Sequence, residues 1–199
     1  MNIYFAGTPN SAAEILKSIA LNNLFNIKGV ITQPDRKGKR GNKRIESPVS
    51  LMANSLKLKT YKPLKLDKEQ IQSNIDITSA DILLVVAYGK LIPTWILESN
   101  IKAINIHYSL LPSYRGASPI QSSLLNNDKK TGVTFMEMSE DLDAGKVIKC
   151  FEVIISSDDN KSTLEKKLTK LSILNLEKVI KDFYSNKIIP VDQDHKKAS

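Results

Sequence analysis

Apolar residues in this chain gather into short runs of strand length at residues 3–6, 27–32, 82–87 and 103–106. Between them lie stretches such as residues 11–21, where apolar positions return at the spacing of an amphipathic helix. Strand and helix alternate, and the strands are apolar on both faces. That combination predicts an α/β fold, Rossmann-like, with a mostly parallel sheet covered by helices on both faces. Two further strands are expected at residues 133–138 and 147–155, flanking a loop that carries Asp143, and residues 161–184 read as a long amphipathic closing helix. No internal repeat interrupts the pattern. In such a sheet ligands collect at the carboxyl ends of the strands, so the segment beginning at Asn105 is where chemistry is expected.

Composition narrows this picture. With 199 residues and 41% hydrophobic content, one domain with a full core is expected, and no apolar stretch approaches the length of a membrane span. The opening residues read as a buried strand and lack the parts of a signal peptide, so a cytosolic location is expected. Cys150 is the single cysteine; it is expected in the core, and without clustered His or Cys no metal site is proposed. Gly7 alone follows the first strand where a dinucleotide fingerprint needs three glycines, and no phosphate-binding loop with Lys and Ser or Thr is present. NAD and nucleoside-triphosphate chemistry are therefore not expected. The net charge is +8, mostly from dispersed lysines, but the arginines are concentrated: of four, Arg36, Arg40 and Arg44 fall together and Arg115 stands apart.

Two segments carry candidate chemistry. Asn105 and His107 precede the run from Ser109 to Ile120, and Asp143 follows downstream. Acyl transfer to an amine needs donors for an oxyanion, a group that takes a proton from the attacking nitrogen, and something to orient an imidazole; these three residues can fill those roles. His195, the other histidine, sits in a polar tail where nothing is expected to orient it, so His107 is the candidate acid or base. Glu140 and Asp141 lie beside Asp143, and spacing alone does not choose among the carboxylates. The second segment, residues 34–48, holds six basic residues against two acidic ones, a charge of +4. Its arginines can fork onto phosphates, and with no aromatic side chain it suits a reader of nucleic-acid backbone rather than a base-stacking platform.

The ordered blocks Phe5-Ala6-Gly7-Thr8-Pro9, Gln33-Pro34-Asp35-Arg36, Ser47-Pro48-Val49, Val85-Val86-Ala87-Tyr88-Gly89, Ser109 to Ile120 and Leu142-Asp143-Ala144-Gly145 resemble the methionyl-tRNA formyltransferase family over essentially the whole chain. The resemblance implies the formyltransferase fold and transfer of a formyl group from 10-formyltetrahydrofolate to the α-amino group of methionine on initiator tRNA. It implies Asn105, His107 and Asp143 as catalytic residues, and Tyr88, Ser109, Leu110, Leu111 and Pro112 at the folate site. Arg36, Lys37, Lys39, Arg40, Lys43 and Arg44 would meet the tRNA. Residues 1–189 would be the catalytic domain, and residues 190–199 resemble the start of a linker to a C-terminal OB-type domain that is absent. A cytoplasmic monomer with no metal and no membrane partner is expected. Tyr108 stands where the family has a small residue and is expected to crowd the folate pocket or turn His107, while Asp141, Ala144 and Lys146 put the shape of the Asp143 loop in question. Two alternatives remain at this level: a related folate-dependent transferase acting on an amino sugar or glycinamide ribonucleotide, or a non-catalytic folate- or RNA-binding remnant.

Overall fold

The structure is a computed structural model and describes residues 1–38, 44–69 and 75–199. It divides into two compact units, Met1–Ala103 and Ile104–Ser199.

In the first unit, β1 (Asn2–Gly7) leads through a short turn into α1 (Asn10–Ala20) and then β2 (Asn26–Ile31). The two-residue strands β3 (Arg36–Lys37) and β4 (Arg44–Ile45) form an antiparallel pair. After them come α2 (Pro48–Ser55), β5 (Thr60–Tyr61), β6 (Ile82–Val86) and the single turn α3 (Thr94–Leu97). The strands β5, β2, β1 and β6 lie side by side in that order, and their pairings are parallel, as the two-faced apolar pattern requires. Every residue of β6 is buried, and the α1 face made by Ala12, Ile15, Leu16 and Ile19 is fully enclosed. The helices α2 and α3, short and weakly periodic, were not legible in the apolar pattern.

A charged anchor fixes the start of α2. Ser47 caps the helix by accepting from the Ser50 backbone N–H at 3.0 Å, with Pro48 in the first turn where its missing N–H costs nothing. Glu46 accepts from the Ser50 hydroxyl, from Asn54 Nδ2 at 3.1 Å and from Lys62 Nζ at 2.9 Å, and Lys62 also reaches Asp35 at 2.6 Å. The Ser50 hydrogen bond, then that from Lys62, holds the Glu46 carboxyl below its ordinary value of 4.5. A group depressed in the folded state stabilises fully above its unfolded value and loses that contribution as pH falls through the folded one. Glu46→Gln should therefore lower the thermal midpoint at neutral pH, and the gap to the parent should close in acid below the ordinary carboxylate range. A gap that is constant across a pH series of melting curves would remove Glu46 as the source.

In the second unit β7 (Lys102–His107), whose first two residues fall in the preceding unit, pairs antiparallel with β8 (Lys130–Glu137), and β8 pairs antiparallel with β9 (Val147–Ile154). The helix α4 (Pro119–Leu125) and the long α5 (Lys161–Tyr184) complete it. Asn160 begins α5 with a capping box: its side chain accepts from the backbone of Ser162 and Thr163, and Thr163 Oγ1 receives the Asn160 N–H. Leu164, Leu168, Leu176, Ile180 and Phe183 line the buried side of α5, and Phe135 meets Phe151 edge to face at 6.0 Å.

Two expectations are corrected here. Cys150 is only half-buried: on β9 it stands opposite buried Thr134, with Sγ 3.3 Å from Thr134 Oγ1, and keeps part of its surface exposed. His195 is oriented after all. It opens a single 3-10 turn capped by Asp194, and its Nδ1 faces Arg115 Nη2 at 3.2 Å. No helix among the described residues is long and apolar enough to cross a membrane.

Candidate active site

Side chains alternate along a strand, so Asn105 and His107 share one face of β7 while Ile104 and Ile106 point into the core on the other. The polar pair therefore stands together at the carboxyl end of the strand. Tyr108, one residue on, has its hydroxyl 2.9 Å from Thr169 Oγ1 on α5, so the bulk that was expected to crowd the folate pocket or turn His107 is spent against that helix.

Asp143 comes from the loop joining β8 to β9. Its backbone is left-handed at φ +49°, a region that Asp and Asn enter more readily than most residues. Two residues later a Cβ on Gly145 would lie 1.9 Å from the Glu137 carbonyl oxygen, so only glycine lets the loop close this tightly. The loop turns the Asp143 carboxylate inward, while Glu140 and Asp141 stay exposed. Of the three carboxylates, Asp143 is the one that stands beside Asn105 and His107. Asp143 Oδ2 accepts the Gly116 backbone N–H at 2.8 Å, Oδ1 accepts from Asn105 Nδ2 at 3.3 Å, and His107 Nδ1 stands 3.6 Å from Oδ2. The last distance is longer than a hydrogen bond, and the contact is an ion pair only when the imidazole carries both hydrogens.

The hydrogen bond that orients His107 comes from elsewhere. Its Nε2 lies 2.8 Å from the Tyr114 carbonyl oxygen. A carbonyl can only accept, so the hydrogen sits on Nε2 and Nδ1 is left facing Asp143, ready to accept or pass on a proton. Tyr114 is itself left-handed at φ +58° and Gly116 lies at φ +98°, so the turn presents a carbonyl to the histidine and an N–H to the aspartate within three residues. Arrangement of an amide donor, an imidazole and a carboxylate around one small space suits stabilisation of an oxyanion coupled to proton transfer.

The segment 109–112 is held from beneath by Thr134, which faces His107 in the β7–β8 register. The Thr134 hydroxyl donates to the Ser109 carbonyl at 2.7 Å and accepts the Leu111 N–H at 3.1 Å. Ser109 is buried and donates to the Ser113 carbonyl at 2.6 Å, Leu110 lies over Gly132, and Leu111 is buried. Pro112 follows a cis peptide bond. In the first unit, Tyr88 is 1% exposed and its hydroxyl finds no partner among the described residues; burial pushes it up to about 12. The Tyr88 carbonyl, in contrast, accepts from Thr8 Oγ1 and Gln33 Nε2.

Of the basic segment, Lys39, Arg40 and Lys43 lie outside the described residues. Arg36, Lys37 and Arg44 are exposed on the β3–β4 pair, where Lys37 stands directly opposite Arg44. Arg36 Nη2 donates to Gln33 Oε1 at 3.0 Å. Both acids of the segment, Asp35 and Glu46, are taken by Lys62, so among the described residues no carboxylate pairs with these three cations. The pair borders a cleft of ≈ 320 Å³ lined by Thr8, Pro9, Gln33, Arg36, Glu46 and Ser47, among others.

Three contributors to the site escaped sequence reading: the Gly116 N–H, the Tyr114 carbonyl and Thr134. Arg115-Gly116 lay within the recognised motif, but a backbone group carries no signature of its own. Thr134 looks like any other position of an alternating strand.

Residues 1–180 match the family model described as Formyl transferase. The chain belongs to the formyltransferase family. It is 38% identical over 197 residues to methionyl-tRNA formyltransferase of Streptococcus equi subsp. zooepidemicus strain H70, across 99% of this chain and 63% of that protein. It is 40% identical over 196 residues to methionyl-tRNA formyltransferase of Buchnera aphidicola subsp. Baizongia pistaciae, across 98% of this chain and 60% of that one. This formyltransferase-family chain thus spans about three fifths of the length of those relatives. Among solved structures it is similar to phosphoribosylglycinamide formyltransferase from Anaplasma phagocytophilum, with a TM-score of 0.76 at 21% identity, covering 94% of this chain and 88% of that one. It is also similar to the sugar 3N-formyltransferase WlaRD, solved in the presence of dTDP and 5-N-formyl-THF, with a TM-score of 0.75 at 24% identity, covering 100% of this chain and 68% of that one. Both likenesses are of fold, and they bear out the α/β architecture expected from the alternating pattern and the formyltransferase fold that the resemblance implied.

Proposed function

We propose that this chain transfers the formyl group of 10-formyltetrahydrofolate to the α-amino group of methionine on initiator tRNA. The observation that carries the reading is the convergence of Asn105, His107 and the Gly116 N–H on the Asp143 carboxylate. Attack by the amine nitrogen makes one C–N bond, the bond from the formyl carbon to the carrier nitrogen breaks, and one proton passes from the amine to that leaving nitrogen. Asn105 has a second amide hydrogen beyond the one given to Asp143, and in this reading it donates to the developing oxyanion. His107 Nδ1 and Asp143, side by side, can hold the proton in transit.

Segment 109–112 suits the folate carrier, because Thr134 sets its backbone from behind while Leu110 and Leu111 supply apolar surface. For the acceptor, an exposed pair of strands with like charges opposed and no described acidic partner favours a polyanion over a sugar or ribonucleotide. The names of the relatives point the same way. Residues 1–189 would form the catalytic domain of a cytoplasmic, monomeric enzyme.

The test is formyl transfer from 10-formyltetrahydrofolate to charged initiator methionyl-tRNA by this chain. Product is expected. Formylation of an amino sugar or of glycinamide ribonucleotide in preference to the tRNA would overturn the acceptor, and folate binding with no transfer to any of them would make the chain a binding remnant.

A further inference from the structure

We propose that Gln193 is a positioning residue for this site, locking the Asp143 turn to the turn at residues 114–116. The proposal rests on reading the site as a formyl-transfer centre. Gln193 lies in the segment that resembled a linker, between exposed neighbours, yet it is only 6% exposed. Val191 secures the approach through a closed pair of backbone hydrogen bonds with Val147, at 2.8 and 2.9 Å.

All the hydrogen-bonding capacity of the Gln193 amide is used. Nε2 donates to the Asp143 carbonyl at 2.9 Å and to the Gly145 carbonyl at 2.7 Å. Oε1 accepts from Arg115 Nε at 3.2 Å and Nη2 at 2.8 Å. An amide offers two donors and two lone pairs, so no other uncharged side chain of this length can serve both turns at once.

Its partners explain why this matters for chemistry. Arg115 sits between Tyr114, whose carbonyl orients His107, and Gly116, whose N–H holds the Asp143 carboxylate. Gln193 thus grips the backbone of Asp143 on one side and, through Arg115, the turn that aims both catalytic side chains on the other. Neither turn belongs to a helix or strand, and both use left-handed residues. Ser199 and Asp128 also hold the 114–116 turn, through the Tyr114 and Arg115 N–H groups and the Tyr114 hydroxyl, so losing Gln193 loosens its link to the Asp143 turn without freeing it; displacement of about 1 Å in such a site can cost 10²-fold in rate.

The test uses the full chain with Gln193→Met, which keeps length without a buried charge, and Gln193→Glu, which keeps an acceptor for Arg115 but loses both donors. Both should lower kcat about 10- to 100-fold, with KM for the folate within about threefold, since the change acts through geometry. Hydrogen exchange at the Gly116 amide should speed up in both, because its acceptor is no longer held. A kcat within about threefold of the parent, a change confined to KM, or lost turnover with unchanged Gly116 exchange would each overturn the proposal. If the parent chain transfers no formyl group, the functional reading fails, and Gly116 exchange alone then decides whether Gln193 couples the turns. Should one variant fail to fold, the other carries the test.

Discussion

Asp143→Asn should lower kcat for formyl transfer by about 10² to 10⁴-fold while leaving folate affinity within about threefold, the range expected for loss of a positioned acid–base group. Asparagine is the informative substitution because the backbone at this position is left-handed, a conformation that Asn tolerates and Ala resists at a cost of roughly 1–2 kcal/mol. The fold of the loop should survive in the Asn variant, so lost activity reports chemistry. The carboxylate oxygens serve two donors at once, Asn105 on Oδ1 and Gly116 on Oδ2. An amide cannot accept at both ends. Whichever way it turns, it presents a donor either to the Gly116 N–H or to the Asn105 amide, and in the second case Asn105 must turn over and withdraw its remaining hydrogen from the oxyanion. The negative charge beside His107 Nδ1 is lost in either case. Single-turnover formylation with saturating folate, next to folate titration by fluorescence, measures both quantities. Turnover within tenfold of the parent would take Asp143 out of the mechanism.

Replacing Lys37 and Arg44 together with alanine should weaken binding of initiator tRNA about tenfold or more at 0.1 M salt. It should also flatten the dependence of log K on log salt by roughly 1.4 to 1.8, the counterion release of two phosphate contacts. The two cations oppose each other across the β3–β4 pair, an arrangement that is unfavourable by itself and is relieved by a bound anion. Asp35 and Glu46 could have neutralised them but are held by Lys62. Removing two like charges should leave the parent fold unharmed, so the loss belongs to the complex. An unchanged salt slope would mean that these residues do not meet phosphate.

How much of this was visible beforehand differs by element. The apolar runs at β1 and β6 were legible because a strand buried on both faces has little choice of residue, those at β2 and β7 because their buried positions still make a short apolar run, and α5 because its apolar stripe persists over 24 residues. Strand direction was not: β8 has the same periodicity whether it runs with or against β7, and only the pairing in the fold shows that it runs against β7 and that β9 turns back again across the hairpin closed by Gly145. Tyr108 was misjudged for a related reason. Identity at a position says that a side chain is large, but the face of the strand decides whether its bulk enters the site or packs on α5.

The sequence by itself determined the local terms of this protein. Alternation along β7 places Asn105 and His107 on one face, apolar runs of strand length make an α/β fold, and three arginines are gathered into one short segment. Tertiary structure alone decided which carboxylate of the 140–143 stretch joins them, that a Tyr114 carbonyl and not that carboxylate holds the histidine by a hydrogen bond, and that Gln193 reaches back across 50 residues to the Asp143 turn. The reason is physical. Periodicity and turn chemistry act between residues a few positions apart, whereas hydrogen bonds among loop backbones depend on where packed strands bring distant turns together, and a backbone N–H or carbonyl is the same in every residue that could have supplied it.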